Sequence, residues 1–199
     1  MARKRGAARF ILASGSPRRR ELLTAAGFEF EVIAPSTAET ADTSFTIREL
    51  TTANATRKAL AVARAHPDAV VLGADTLVAL EGDVIGKPAG MDEAFAIVGR
   101  LNGKVHQVCT GVFICTAGGA RSKSFYVVSD VQFRKLSRTQ IKAYLAKIDP
   151  LDKAGAYAAQ GHGTDIISEI RGSYTNVVGL PMDEAIRYLR DFAVQPTAR

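Results

Sequence analysis

The sequence predicts an α/β chain, a mixed sheet with helices on its flanks, and three observations lead there. The run 69–74 is continuously apolar and stops at Asp75, the pattern of a buried strand that delivers a polar residue at its tip. The stretch 47–65 repeats its apolar residues at helical spacing. Elsewhere strands and helices mix without a clean β-α-β alternation, so an α/β or α+β arrangement fits better than a doubly wound sheet. The 199 residues, 47% of them hydrophobic, can bury a real core and lie far from a disordered composition.

The elements follow in order. Residues 9–13 read as a short strand and 17–26 as a helix, with Ser16 as N-cap, Pro17 at the first helical position and Gly27 as the stop. A second strand is expected over 28–33. In the helix 47–65, Ile47, Leu50, Ala59, Leu60 and Ala63 take the inward positions, and Lys58, near the middle, is of a kind usually solvated. After Asp75, 76–80 and 84–86 flank Glu81-Gly82-Asp83, a hairpin turn. Residues 91–101 form a helix closed by Asn102-Gly103, and 105–116 and 122–133 are long strands read as an antiparallel pair. Ser137 caps a helix running to about Lys147, which Asp149-Pro150 ends. Glycine and alanine dominate 153–163, read as a loop lining a site. A last strand pair is expected at 166–170 and 174–178, then a closing helix over 181–192. The domain expectation is a single two-lobed body over 9–195, with a disordered basic tail at 1–8 and a short tail at 196–199.

Composition narrows the function. A net charge of +6 favours anionic partners without separating nucleotide from nucleic acid. The two cysteines, Cys109 and Cys115, fall on one face of one strand, about 20 Å apart, so no disulfide joins them and a reducing compartment is expected. No apolar stretch reaches membrane-spanning length, and the opening basic residues lead into too short an apolar run for a secretory signal, so a cytoplasmic protein without a membrane partner is expected. His66, His106 and His162 are too scattered for a zinc site.

The segment 14–20 combines small residues, free helix N-terminal N–H groups, the positive end of a helix dipole and adjacent arginines. Cations at a helix start oppose the dipole, so an outside anion explains them better than a solvated first turn. Asp75, followed by Thr76, is a carboxylate beside an apolar strand, suited to hold a divalent cation or orient an attacking water; an ordinary strand-end aspartate is the alternative. Gly86-Lys87-Pro88 offers a lysine on a rigid exit, with a glycine permitting close approach, yet it is not a Walker A loop. Gln160 carries an amide that can donate and accept, as reading a base edge requires.

Together, LASGSPRRRELL at 12–23, GADT at 73–76, GKP at 86–88, TGV at 110–112 and GSYTNVVGLP at 172–181 resemble the Maf family in order and spacing. The resemblance implies a nucleoside triphosphate pyrophosphatase that cuts between the α and β phosphates with a divalent metal, usually magnesium, manganese being the alternative. It also implies a fold similar to inosine triphosphate pyrophosphatases, a long mixed sheet with a deep cleft between two lobes, and often a homodimer. PLDKAGAYAAQG at 150–161 looks like the subgroup acting on dTTP and UTP rather than relatives acting on 7-methyl-GTP. By position, the resemblance makes Asp75 the proton acceptor and, with Glu39, a metal ligand. It links Arg18, Thr76 and Gln160 to substrate choice and places Ser14, Arg19, Lys58 and Lys87 among the polar residues of the cleft. Ala38 departs from an acidic residue common beside the Glu39 position, and the polar 161–165 opens specificity toward modified pyrimidines. The rivals are a nucleic-acid-binding protein, against which stand few aromatics and no binding module, and a non-catalytic regulator of cell division.

Overall fold

A computed structural model describes residues 8–37, 44–116 and 119–197. The basic start of the chain, Ala38 and Glu39 lie outside the described residues. The elements run β1 (Arg9–Leu12), α1 (Pro17–Ala25), β2 (Glu31–Val32), α2 (Ile47–Ala63), β3 (Ala69–Leu80), β4 (Asp83–Ile85), α3 (Met91–Leu101), β5 (Val105–Thr116), β6 (Arg121–Phe133), α4 (Arg138–Leu145), α5 (Gly163–Ile166), β7 (Ile167–Arg171), α6 (Tyr174–Val178) and α7 (Met182–Asp191). A 3-10 turn, Ala154–Ala156, precedes α5. The strands are ordered β2-β1-β3-β5-β6-β7, with β4 also paired to β3. β1 is parallel to β2 and β3, whereas β4 and β7 run antiparallel to β3 and β6. The mixed sheet and its flanking helices are as the sequence predicts. At the β3–β4 hairpin Glu81 and Gly82 both take positive φ, 54° and 94°, the turn whose twist suits two paired strands.

Four expectations need correction. β3 is a single strand of 12 residues, so Asp75 lies in its middle rather than at its tip. The strand expected over 28–33 shrinks to Glu31–Val32, because Gly27 and Phe28 close α1: their N–H groups donate to the carbonyls of Thr24 and Leu23. Residues 174–178 form a helix despite two valines, since the Ser173 hydroxyl accepts from Asn176 N (3.2 Å) and the buried Asn176 amide donates to Val108 O and Ser129 Oγ. Ser16 occupies the N-cap of α1, yet its side chain makes no capping bond.

The chain divides into two compact units, and it crosses between them within β3, β5 and β6 and again after α6. The first comprises the described parts of Met1–Asp75, Thr110–Tyr126 and Gly179–Arg199. Strand alternation gives its sheet two apolar faces. Phe10, Leu12, Leu72 and Ile114 pack with Leu23 of α1 and Leu189 of α7. Ile11, Val71, Phe113 and Cys115 pack with Ala55, Ala59 and Val62 of α2. Gly73 and Gly111 share that second face, where a Cβ at either would come 2.4 Å from helix backbone, from Ala55 O and Thr51 C respectively. These glycines let α2 lie against bare strand. Cys109 and Cys115 are buried thiols that no disulfide joins, and burial pushes the Cys115 thiol up to about 11.

The second unit, Thr76–Cys109 and Val127–Val178, buries Val78, Leu80, Val131 and Phe133 against Val98 and Leu101 of α3 and Ile141 and Leu145 of α4.

Candidate functional site

The chain leaves β1 at Leu12 and enters α1 at Pro17, which presents Ser14 and the helix start together. Arg19 folds back here. Its Nη1 donates to Ser14 Oγ (2.9 Å) and its Nε to Gly179 O (2.8 Å), and Ser16 N also donates to Ser14 Oγ (3.3 Å). Both Ser14 and Arg19 are buried, so this arginine braces the turn, while Arg18 is half-buried and Arg20 exposed. The first turn of α1 holds no acidic residue. By contrast, α2 and α4 begin with capping boxes, Thr46 with Glu49 and Ser137 with Gln140. α3 and α7 begin with acidic pairs. The positive end of α1 therefore lacks both a carboxylate and a side-chain cap, the condition that favours an external anion.

Parity along β3 turns Asp75, like Val71 and Gly73, toward α2. Lys58 Nζ donates to Asp75 Oδ1 at 2.7 Å and Asn54 Nδ2 to Oδ2 at 3.0 Å. The carboxylate is 4% exposed, so a cation and an amide compensate what burial would cost it. Lys58, of a kind usually solvated, is 13% exposed on its side chain and paired. Asn54 was not legible as a site residue. The signal for it is the spacing of four between Asn54 and Lys58, which puts both on one helix face, beside alanines that oppose strand glycines.

Thr76 follows in β3, half-exposed, within the second unit. Lys87 is exposed after β4. A Cβ on Gly86 would meet nothing within 4 Å, and the Gly86 carbonyl accepts from Gly155 N (3.1 Å). Gln160 is half-buried and follows a segment that is pinned rather than loose. The Tyr144 hydroxyl accepts from Ala158 N (3.0 Å) and donates to Ala158 O (3.3 Å). Tyr157 meets His106 Nε2 at 2.8 Å through its hydroxyl, and Tyr174 donates to Ala159 O at 3.4 Å. His106, 1% exposed, stands edge-on to Phe133 and Tyr157, and burial pulls its imidazolium down to about 4, leaving a neutral ring. His162 lies on the surface, 3.6 Å from Asp165. Nothing in the spacing of the histidines singles out His106.

The structure thus brings Ser14 to Arg19 and Lys58 to Asp75, and it ties Gly86, beside Lys87, to Gly155 in the 3-10 turn that precedes Gln160 in the chain. Among the described residues, no three histidine, cysteine or acidic side chains gather as a metal site.

A family model described as Maf-like protein matches residues 9–192. A dTTP/UTP pyrophosphatase of Akkermansia muciniphila is 46% identical over 179 residues, 90% of this chain and 94% of that protein. One of Bacillus anthracis is 42% identical over 189 residues, 95% of this chain and 98% of its own. Among solved structures, the Staphylococcus aureus Ham1 protein superposes with a TM-score of 0.54 at 15% identity, over 92% of this chain and 99% of that one, a likeness of fold.

Proposed function

The chain belongs to the Maf family, and from that premise we propose a nucleoside triphosphate pyrophosphatase that converts dTTP and UTP to the monophosphate and pyrophosphate. The observation that carries this reading is the buried Lys58–Asp75 pair, a carboxylate kept beside a cation that a triphosphate can attract. In the reaction a water oxygen bonds to phosphorus as the α–β bridging P–O bond breaks. Asp75 takes the proton of that water once Lys58 turns toward phosphate, and the bridging oxygen leaves with pyrophosphate. The uncompensated start of α1 and Arg18 supply the positive charge that the leaving group needs, the largest electrostatic contribution expected, and Lys87 stays among the proposed substrate-binding residues. The Gln160 amide, able to donate and accept, suits a pyrimidine edge, and modified pyrimidines come within the same reading.

Magnesium, with manganese as its substitute, is the cofactor of this proposal. Magnesium needs only one or two protein carboxylates, the remainder coming from phosphate oxygens and water, so Asp75 fits, with Glu39 as the second ligand proposed. Bound there, the ion neutralises charge on the phosphate oxygens. No nucleic-acid partner is invoked. A cytoplasmic homodimer completes the proposal; among the described residues no helix is long and apolar enough to cross a membrane.

The test is a panel of canonical and modified triphosphates with magnesium, read as pyrophosphate against orthophosphate. Pyrophosphate from dTTP and UTP is expected, and orthophosphate alone would overturn the reading. Asp75→Asn keeps the shape and removes the base, and is expected to lower kcat by about a thousandfold, within the usual range for a general base.

A further inference from the structure

We infer that Asn54 is a positioning residue for Asp75, an inference that rests on the functional reading above. Asn54 is 1% exposed on the face of α2 that meets the sheet, beside Ala55 and Ala59, where an apolar side chain would need no hydrogen-bond partner. Its amide nitrogen is spent on one oxygen of Asp75, Oδ2, at 3.0 Å, while Lys58, one turn further on, holds the other, Oδ1, at 2.7 Å. The two donors differ in kind. Lys58 carries charge, and phosphate competes for it. Asn54 is neutral, and phosphate has little hold on it.

When a triphosphate draws Lys58 away, the carboxylate would be left to rotate unless something fixes it. Asn54 keeps Oδ2 engaged, so the plane of the carboxylate persists and Oδ1 is the oxygen exposed to the reacting water. Gly73 and Gly111 make the arrangement possible, because a short asparagine reaches the strand only where the helix backbone lies against it. Asn54 touches no reacting atom in this account. It acts through Asp75 alone.

The experiment compares wild type, Asn54→Leu, Asn54→Ala, Asp75→Asn and Asn54→Leu/Asp75→Asn, measuring kcat and KM for dTTP and UTP by pyrophosphate release, with thermal unfolding of each. In either single variant at Asn54, kcat should fall by about tenfold or more with KM within about threefold of wild type, the split expected when positioning in the transition state is lost. Asn54→Leu should unfold at a lower temperature than wild type, since it leaves the buried Oδ2 of Asp75 without its donor, so turnover is compared at a temperature where every variant is folded. In the Asp75→Asn background the same change should alter kcat by less than about twofold, because no carboxylate remains to be positioned. Asn54→Ala adds no bulk and serves if Asn54→Leu fails to fold. A loss of less than about fivefold in the folded single variants, or an equal loss in both backgrounds, overturns the inference. These outcomes count when wild type releases pyrophosphate; a wild type that releases none overturns the functional reading, and this inference with it.

Discussion

The two units fix their functional residues by opposite means. In the first, side chains hold side chains: Lys58 and Asn54 grip Asp75, and Arg19 grips Ser14. In the second, backbone is what is mainly held: the Tyr144 hydroxyl clamps both polar groups of Ala158 and the carbonyl of Gly86 takes the N–H of Gly155, while His106 anchors the Tyr157 side chain between them. Lys87 and Gln160 are carried on that held backbone. On the proposed function, the difference says where damage should show: lost chemistry from the first kind of contact, altered affinity or base choice from the second.

The largest break is expected at Gly73. Gly73→Val puts a branched side chain where even a Cβ would stand 2.4 Å from Ala55 O and 2.8 Å from Ala59 N, and helix backbone cannot yield as a side chain can. We expect a loss beyond the roughly 1–3 kcal/mol of ordinary overpacking, read by urea unfolding, with turnover of dTTP lost as α2 is pushed off. Gly86→Val, which meets open space, is the control.

Acid comes next, and it acts on the second unit. The His106 ring titrates at about 4 when folded against 6.5 for an ordinary histidine, so between these values the unfolded chain binds a proton that the folded one does not. Stability is therefore full above about pH 6.5 and falls as pH drops toward 4, by about 3 kcal/mol over the window for the 2.5 units between 6.5 and 4. Unfolding measured from pH 7 to pH 5 should show the slope, and His106→Leu should flatten it; an unchanged slope would remove His106 as its source.

Tyr144→Phe removes the clamp on Ala158 and should cost about 1–2 kcal/mol while changing the ratio of kcat/KM for UTP over CTP, with kcat on UTP nearly kept. A lowered kcat at an unchanged ratio would erase the contrast between the units. The smallest effect belongs to α1: Ser16→Ala should lie within about 0.5 kcal/mol of wild type, whereas Thr46→Ala, which breaks a capping box, should cost about 1 kcal/mol.

Much of this was legible before any coordinates. Helical periodicity and the Pro17 and Gly27 signals placed α1 within one residue at its end, and Glu81-Gly82 marked the hairpin. The strand ladder was harder, because a polar residue inside an apolar strand looks like its end: Asp75 is tolerated in the middle of β3 only through donors from α2, which lies elsewhere in sequence. Residues 174–178 read as strand from their valines, while Asn176 is committed to Val108 and Ser129, bonds of long range that propensity does not contain. His106 was invisible for the same reason. Its importance lies in Tyr157, 51 residues away.

Arg19 has a consequence for how the polypeptide is made. Its Nε bonds the carbonyl of Gly179, 160 residues further along, and Thr197 N reaches Gly27 O, so the turn from β1 into α1 is fastened by segments synthesised long after it. A nascent chain can build β1, α1 and α2 early, yet its arginine has no Gly179 to hold until β7 and α6 have been made. Products that stop short of Gly179 should accordingly leave Arg19 without that brace and, on the proposed function, should handle nucleotide poorly.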